Sequence, residues 1–142
     1  QAGDVDRAYA VQSAALARQP NNIELLADRA VTAASVGNFA AAKADLDRAL
    51  AIAPNRADYL VLRASAQRYL EQPERALADV ELALRLDPAN AEGHLERGNL
   101  RRLKGDDAGA RDDWLQAARL APDTPTAQAA QANLARLDLK VD

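Results

Sequence analysis

Three kinds of residue in this chain could do chemistry by type and spacing. The acidic pairs Asp106-Asp107 and Asp112-Asp113 could share proton transfer, since neighbouring carboxylates can be driven into different protonation states. Ser13, Ser35 and Ser65 could be nucleophiles, but none has a base at a recognisable spacing, and His94 is the single histidine. The third kind is a set of arginines recurring at a fixed interval: Arg29, Arg63 and Arg97, and further on Arg68, Arg102 and Arg136. One His and no Cys give no multi-histidine or thiolate metal site, and no glycine-rich phosphate loop is present. The acidic pairs fall beside helix starts and on solvent faces, so the expectation is no catalysis, no metal and no cofactor.

The elements that carry these residues follow from a period. Pro20, Pro54, Pro88 and Pro122 are each 34 residues apart, as are Ala8, Ala42, Ala76 and Ala110, and Ala15, Ala49, Ala83 and Ala117. About a quarter of the chain is Ala, and sheet-forming Val, Ile and aromatics are scarce, so the fold class is all-α. Helices are predicted at about 4–18, 22–36, 39–52, 56–70, 73–86, 90–104, 107–120 and 124–139. Asp4, Asn38, Gln72 and Asp106 stand where the second helix of each unit would begin, as N-cap candidates. Pro73 suits a first helical position, and Gly37 and Gly105 suit a helix end with positive φ.

The 142 residues carry 27% charged side chains, a net charge of -3 and no 18-residue apolar run. Nucleic-acid binding, which needs a basic stripe, and membrane insertion are therefore not expected. The Ala and Arg excess points to a GC-rich bacterial genome. The chain opens on Gln1 and has no Met, as expected of an excised or processed segment. Absence of Cys suits cytosol and periplasm alike.

With Ala30, Ala64 and Gly98 at the eighth position and Ala42-Leu46-Ala49, Ala76-Val80-Ala83 and Ala110-Trp114-Ala117 later on, the unit resembles the tetratricopeptide repeat. The resemblance implies a right-handed α-solenoid: a partial repeat (4–20), three repeats (23–56, 57–90, 91–124) and a capping helix (125–139). It also implies a concave face lined by first helices. On that face it places Val61, Ser65, Arg68, Tyr69, Leu95, Asn99, Arg102, Leu103, Asn133 and Arg136 as partner-binding residues.

The implied function is a non-catalytic protein–protein interaction scaffold for a peptide, acidic or carboxy-terminal by virtue of the arginine row. The alternative is an assembly or self-association arm through the exposed N-terminal half repeat. The arginine row has two readings: recognition, or compensation of helix dipoles. If the row recognises acidic partners, its reversal to Glu is expected to abolish binding while changing thermal stability little, and unchanged affinity would leave dipole compensation alone. Where the family's carboxylate-gripping cations would stand, this chain has Glu92 and Glu96, so chaperone-tail binding of that type is disfavoured.

The other periodic arginines are expected to be structural. Arg29, Arg63 and Arg97 each precede an Asp by 16 residues (Asp45, Asp79, Asp113). The two incomplete units have Val11 at the Asp position and Gln131 at the Arg position, so the pairing is expected within a unit. Trp114 and His94 are expected to be packed side chains.

Overall fold

A computed structural model describes residues 2–139. It contains eight helices among the described residues: α1 (Ala2–Arg18), α2 (Ile23–Ser35), α3 (Phe39–Ile52), α4 (Ala57–Tyr69), α5 (Pro73–Leu86), α6 (Ala91–Leu103), α7 (Asp107–Leu120) and α8 (Pro125–Asp138). Packing is most extensive within the pairs α2/α3, α4/α5 and α6/α7. The helices α2, α4, α6 and α8 also touch one another in succession, whereas α1, α3, α5 and α7 do not. An inner row in contact and an outer row held apart is the geometry of a curved solenoid, with the concave side formed by α2, α4, α6 and α8.

Small residues set these distances. Ala30, Ala64, Ala42, Ala49, Ala76, Ala83, Ala110 and Ala117 are all 1% exposed or less, so helix backbones approach closely along every seam. Large side chains fill the remaining space in clusters that cross from one helix pair to the next: Leu26, Leu46 and Leu60, then Val80 and Leu100, then Trp114 with Leu137. Gly98 is where the approach is tightest, since a Cβ there would lie 2.5 Å from the Trp114 indole nitrogen. On α8, Ala127, Ala130 and Leu137 are buried, while Gln128, Gln131, Ala132 and Ala135 on its other face are exposed.

Capping follows residue chemistry. Asn38 accepts from the Ala41 amide and Asp106 from the Gly109 amide, and Asn22, Asn90 and Thr124 do the same for α2, α6 and α8. Two expected caps are corrected. Gln72 makes no side-chain cap bond, its longer chain being unsuited to the tight loop, and Pro73 starts α5 without needing one. Asp4 lies inside the first turn of α1, which begins at Ala2, so its carboxylate complements the helix dipole rather than capping.

Three left-handed positions follow the period, one of them with a different residue type, while Asp123, also left-handed at φ 61°, stands outside it. Gly37 and Gly105 have φ of 80° and 84°, and the equivalent position holds Glu71 at 61°. A side chain there is strained by contact of its Cβ with the following carbonyl. Glu71→Gly is expected to raise stability by about 0.5–1 kcal/mol, net of the flexibility glycine adds to the unfolded chain. Urea unfolding checks this, and an unchanged midpoint would mean that the turn relaxes the strain elsewhere.

Candidate functional site

The concave face is built from α2, α4, α6 and α8, and its properties depend on which polar groups the fold itself consumes. The first set is consumed behind the face. Arg29 Nε and Nη2 donate to Asp45 at 2.8 and 2.7 Å, Arg63 to Asp79 at 2.7 and 2.9 Å, and Arg97 to Asp113 at 3.0 and 2.9 Å. All three are two-pronged guanidinium–carboxylate pairs within one helix pair, as the incomplete units imply. Their aspartates are nearly buried (Asp45 4%, Asp79 9%, Asp113 3%). The bonds to Asp45 and Asp79 hold the Arg29 and Arg63 guanidiniums above their ordinary pKa, against the opposing effect of burial.

Each pair also has at least one further partner that the period does not reveal. Gln67 Nε2 donates to Asp79 at 2.8 Å and Arg101 Nη1 to Asp113 at 2.9 Å. On the other side, Arg29 Nη1 donates to Ser13 Oγ at 3.2 Å and Arg63 Nη1 to Asp47 at 3.1 Å, linking each to the preceding outer helix. His94 is a packed histidine: its Nε2 lies 2.9 Å from the Pro88 carbonyl and its Nδ1 3.5 Å from Asp113.

The face itself differs from the expected arginine strip. Arg68 is directed into the fold, donating through Nε and Nη2 to Glu96, a carboxylate only 5% exposed. Burial disfavours the Arg68 charge, and the Glu96 carboxylate more than offsets this and raises the pKa. Arg68 also lies 4.5 Å over the Tyr69 ring, which stacks on Phe39 at 4.2 Å with planes 2° apart. Arg102 pairs with Asp107 at 3.2 Å, and Arg136 donates to Asn133.

Asn99 is likewise occupied, its Oδ1 accepting from Trp114 Nε1 at 3.2 Å and from Asn133 Nδ2 at 3.1 Å. The buried indole thus has the partner it needs, and Trp114 is a packed core residue. Of the ten residues expected to bind, Arg68, Asn99, Arg102, Asn133 and Arg136 all have partners within the chain.

What the face does offer is an apolar trough. A hollow of about 100 Å³ between α2, α3 and α4 is lined by Ala30, Val31, Ala34, Phe39, Ala42, Leu46, Leu62, Ser65 and Ala66. A second, of about 320 Å³, is lined by Val61, Leu62, Ser65, Glu92, Leu95, Glu96, Pro125 and Thr126. They share Leu62 and Ser65 and therefore adjoin. Val61, Ser65 and Leu95 of the expected set line this trough, while Tyr69 and Leu103 are exposed beyond it at 55% and 65%. Val31, Phe39, Leu62 and Ala66 were not in the expected set. Val31 lies on the inner helix α2 and could have been included, but Phe39 belongs to the outer helix α3, whose Ala42 and Leu46 also line the first hollow.

Of the acidic pairs, Asp113 is buried and bonded by Arg97 and Arg101 rather than lying on a solvent face, because its own helix pair supplies the guanidiniums. Ser13 is held by Arg29, and Ser35 Oγ donates to the Thr32 carbonyl at 2.6 Å. Among the described residues no group of three or more His, Cys, Asp or Glu is placed to hold a metal ion, and no helix is long and apolar enough to cross a membrane.

Comparison with known proteins agrees with this architecture. No curated protein matches the chain in sequence. The crystal structure of MamA superposes with a TM-score of 0.75 at 20% identity, over 96% of this chain and 82% of that one. The first tetratricopeptide domain of Spaghetti (RPAP3), bound to the HSP90 peptide SRMEEVD, gives 0.72 at 20% identity, over 82% and 90%. The Sgt2 tetratricopeptide domain from Aspergillus fumigatus gives 0.74 at 25% identity, over 84% and 78%. Two family models, both described as tetratricopeptide repeat, match residues 1–67 and 57–90. With eight helices in a repeating two-helix pattern and these matches over its first 90 residues, the chain belongs to the tetratricopeptide repeat family.

Proposed function

We propose that this chain is a non-catalytic scaffold that holds a peptide or protein segment on its concave face. The observation that carries the reading is the pair of adjoining apolar hollows on α2, α4 and α6, an open trough floored by Leu46, Leu62 and Ala42. Apolar surface left open along one continuous face gains from being covered, at about 25 cal/mol per Å². The peptide-bound state of the RPAP3 relative supports the same use of the fold. An acidic or carboxy-terminal partner would have to draw Arg102 from Asp107 and Arg136 from Asn133, and would find Arg68 already committed to Glu96. The test is site-directed photocrosslinking in cells. A benzophenone amino acid at Ser65, in the trough, is expected to capture a partner, and the same group at Arg85, on the outer helix α5, is not. Equal capture from both positions would show that binding does not use the concave face.

A second reading, self-association through α1, has one specific observation behind it. Val11 is 69% exposed at the position where Asp45, Asp79 and Asp113 are buried, and a separate hollow of about 310 Å³ between α1 and the end of α2 is lined by Val5, Asp6, Tyr9, Ala10, Ala33, Val36 and Asn38. Light scattering across a concentration series decides this: a constant monomer mass excludes it.

A further inference from the structure

We infer that the concave trough selects a segment in which a bulky aliphatic side chain stands a few residues from a basic one, rather than an acidic or carboxy-terminal segment. The inference rests on the concave-face reading and specifies the chemistry of its occupant. The first hollow, about 100 Å³, has room for a single aliphatic side chain, about three times a water molecule's share of the liquid. Ser65 is the one polar side chain lining it. A charged or strongly polar group placed there would lose its water without finding partners, so the hollow favours Leu, Ile or Met.

The second hollow sets the charge. Its two acids are not equivalent. Glu96 is buried and both its oxygens are taken by Arg68. Glu92 is exposed, in the first turn of α6, and has no ion-pair partner among the described residues. Arg68, the cation beside the other acid of this hollow, is spent on Glu96. The uncompensated charge bordering the trough is therefore negative, and a Lys or Arg is its complement. Neighbouring helices lie about 8–10 Å apart, so one inter-helix step separates the apolar hollow between α2 and α4 from Glu92 on α6. An extended chain covers that step in about two to four residues, which is the spacing expected between the aliphatic and the basic side chain.

The test is selection of a randomised dodecapeptide library by mRNA display on the immobilised chain. Three variants run in parallel: Ser65→Leu, which fills the first hollow; Val31→Asp, at its exposed rim; and Glu92→Lys. The wild-type chain is expected to enrich peptides carrying Leu, Ile or Met with Lys or Arg two to four residues away. Enrichment should fall about tenfold with Ser65→Leu, equivalent to losing the burial of one aliphatic side chain. Glu92→Lys should shift the selected charge to Asp or Glu. Val31→Asp covers the case in which a leucine at position 65 disturbs folding, because Val31 is half exposed already. Wild-type enrichment of acidic or carboxy-terminal sequences would overturn this inference and leave the concave-face reading standing. Peptides indifferent to both Ser65→Leu and Val31→Asp, or no enrichment at all, would overturn both.

Discussion

Asp113→Ala is expected to lower stability by about 3–5 kcal/mol, the loss that follows when one partner of a buried ion pair is removed. The carboxylate is 3% exposed and accepts from Arg97 through two bonds and from Arg101 through a third, with His94 nearby. Alanine would leave two guanidiniums facing one another in a site that admits little water, and a void beside Trp114. Exposed pairs set the contrast. Arg56 and Asp58 are joined at 2.9 Å, and Arg56 depresses the Asp58 pKa, but their side chains are 40% and 56% exposed. Asp58→Ala should therefore cost less than about 1 kcal/mol. Urea unfolding of both variants, with Arg97→Ala and the double variant, closes the comparison. If the Asp113 loss does not exceed the Asp58 loss, or if the Arg97 and Asp113 losses simply add, the carboxylate is not acting as a buried anchor.

Arg68→Glu is the second large effect, again about 3–5 kcal/mol. It sets a second carboxylate against Glu96, which is 5% exposed and has no other partner for its charge among the described residues. This corrects the expectation that the row Arg68, Arg102 and Arg136 can be reversed with stability intact. Arg102 and Asp107, 33% and 54% exposed, should tolerate reversal at about 1 kcal/mol or less. The pair itself need not be optimal. The position of Glu96 in the preceding unit holds Leu62, so an Arg68→Met/Glu96→Leu double variant is expected to recover stability near the parent's, because it removes both desolvation penalties together. Thermal melts of the single and double variants decide between a buried pair and a surface contact. Equal, small losses throughout would mean that solvent reaches Glu96.

The difference between Arg63 and Arg68 shows what a sequence can reveal. Arg63 belongs to a set that repeats with its partner, and the two incomplete units break the set on opposite sides, so the Asp79 pairing is legible without coordinates. The 34-residue period likewise exposes the helices, since every unit must solve the same packing problem with the same small residues. Glu96 has no such echo: the equivalent positions are Asp28, which is exposed, and Leu62. A contact made once, 28 residues apart, leaves no periodic trace. The same applies to the Phe39–Tyr69 stack. The arginines at the groove edge were legible as residues on a face, but whether a side chain on that face turns outward or inward depends on a neighbour that only the fold supplies.

The second hand of Arg63 bears on how the array comes apart. In a linear stack each unit is stabilised by itself and by its neighbours, so opening starts where the neighbour coupling is weakest. Arg63 joins Asp79 of its own pair to Asp47 of the preceding one, and Arg29 reaches Ser13 in the same way. At the third seam the equivalent of Asp47 is Glu81, and Arg97 makes no bond to it; Nε and Nη2 of Arg97 both donate to Asp113, and the link across that seam is instead the pair of Arg68 on α4 with Glu96 on α6. The buried apolar cluster is also larger over α1–α4 than over α6–α8. Amide hydrogens of α6, α7 and α8 should accordingly exchange with deuterium earlier than those of α2, α3 and α4, and Arg68→Met, which removes the ion pair across the third seam, should widen the gap, whereas Arg63→Gln, which loosens α3 from α4, should narrow it.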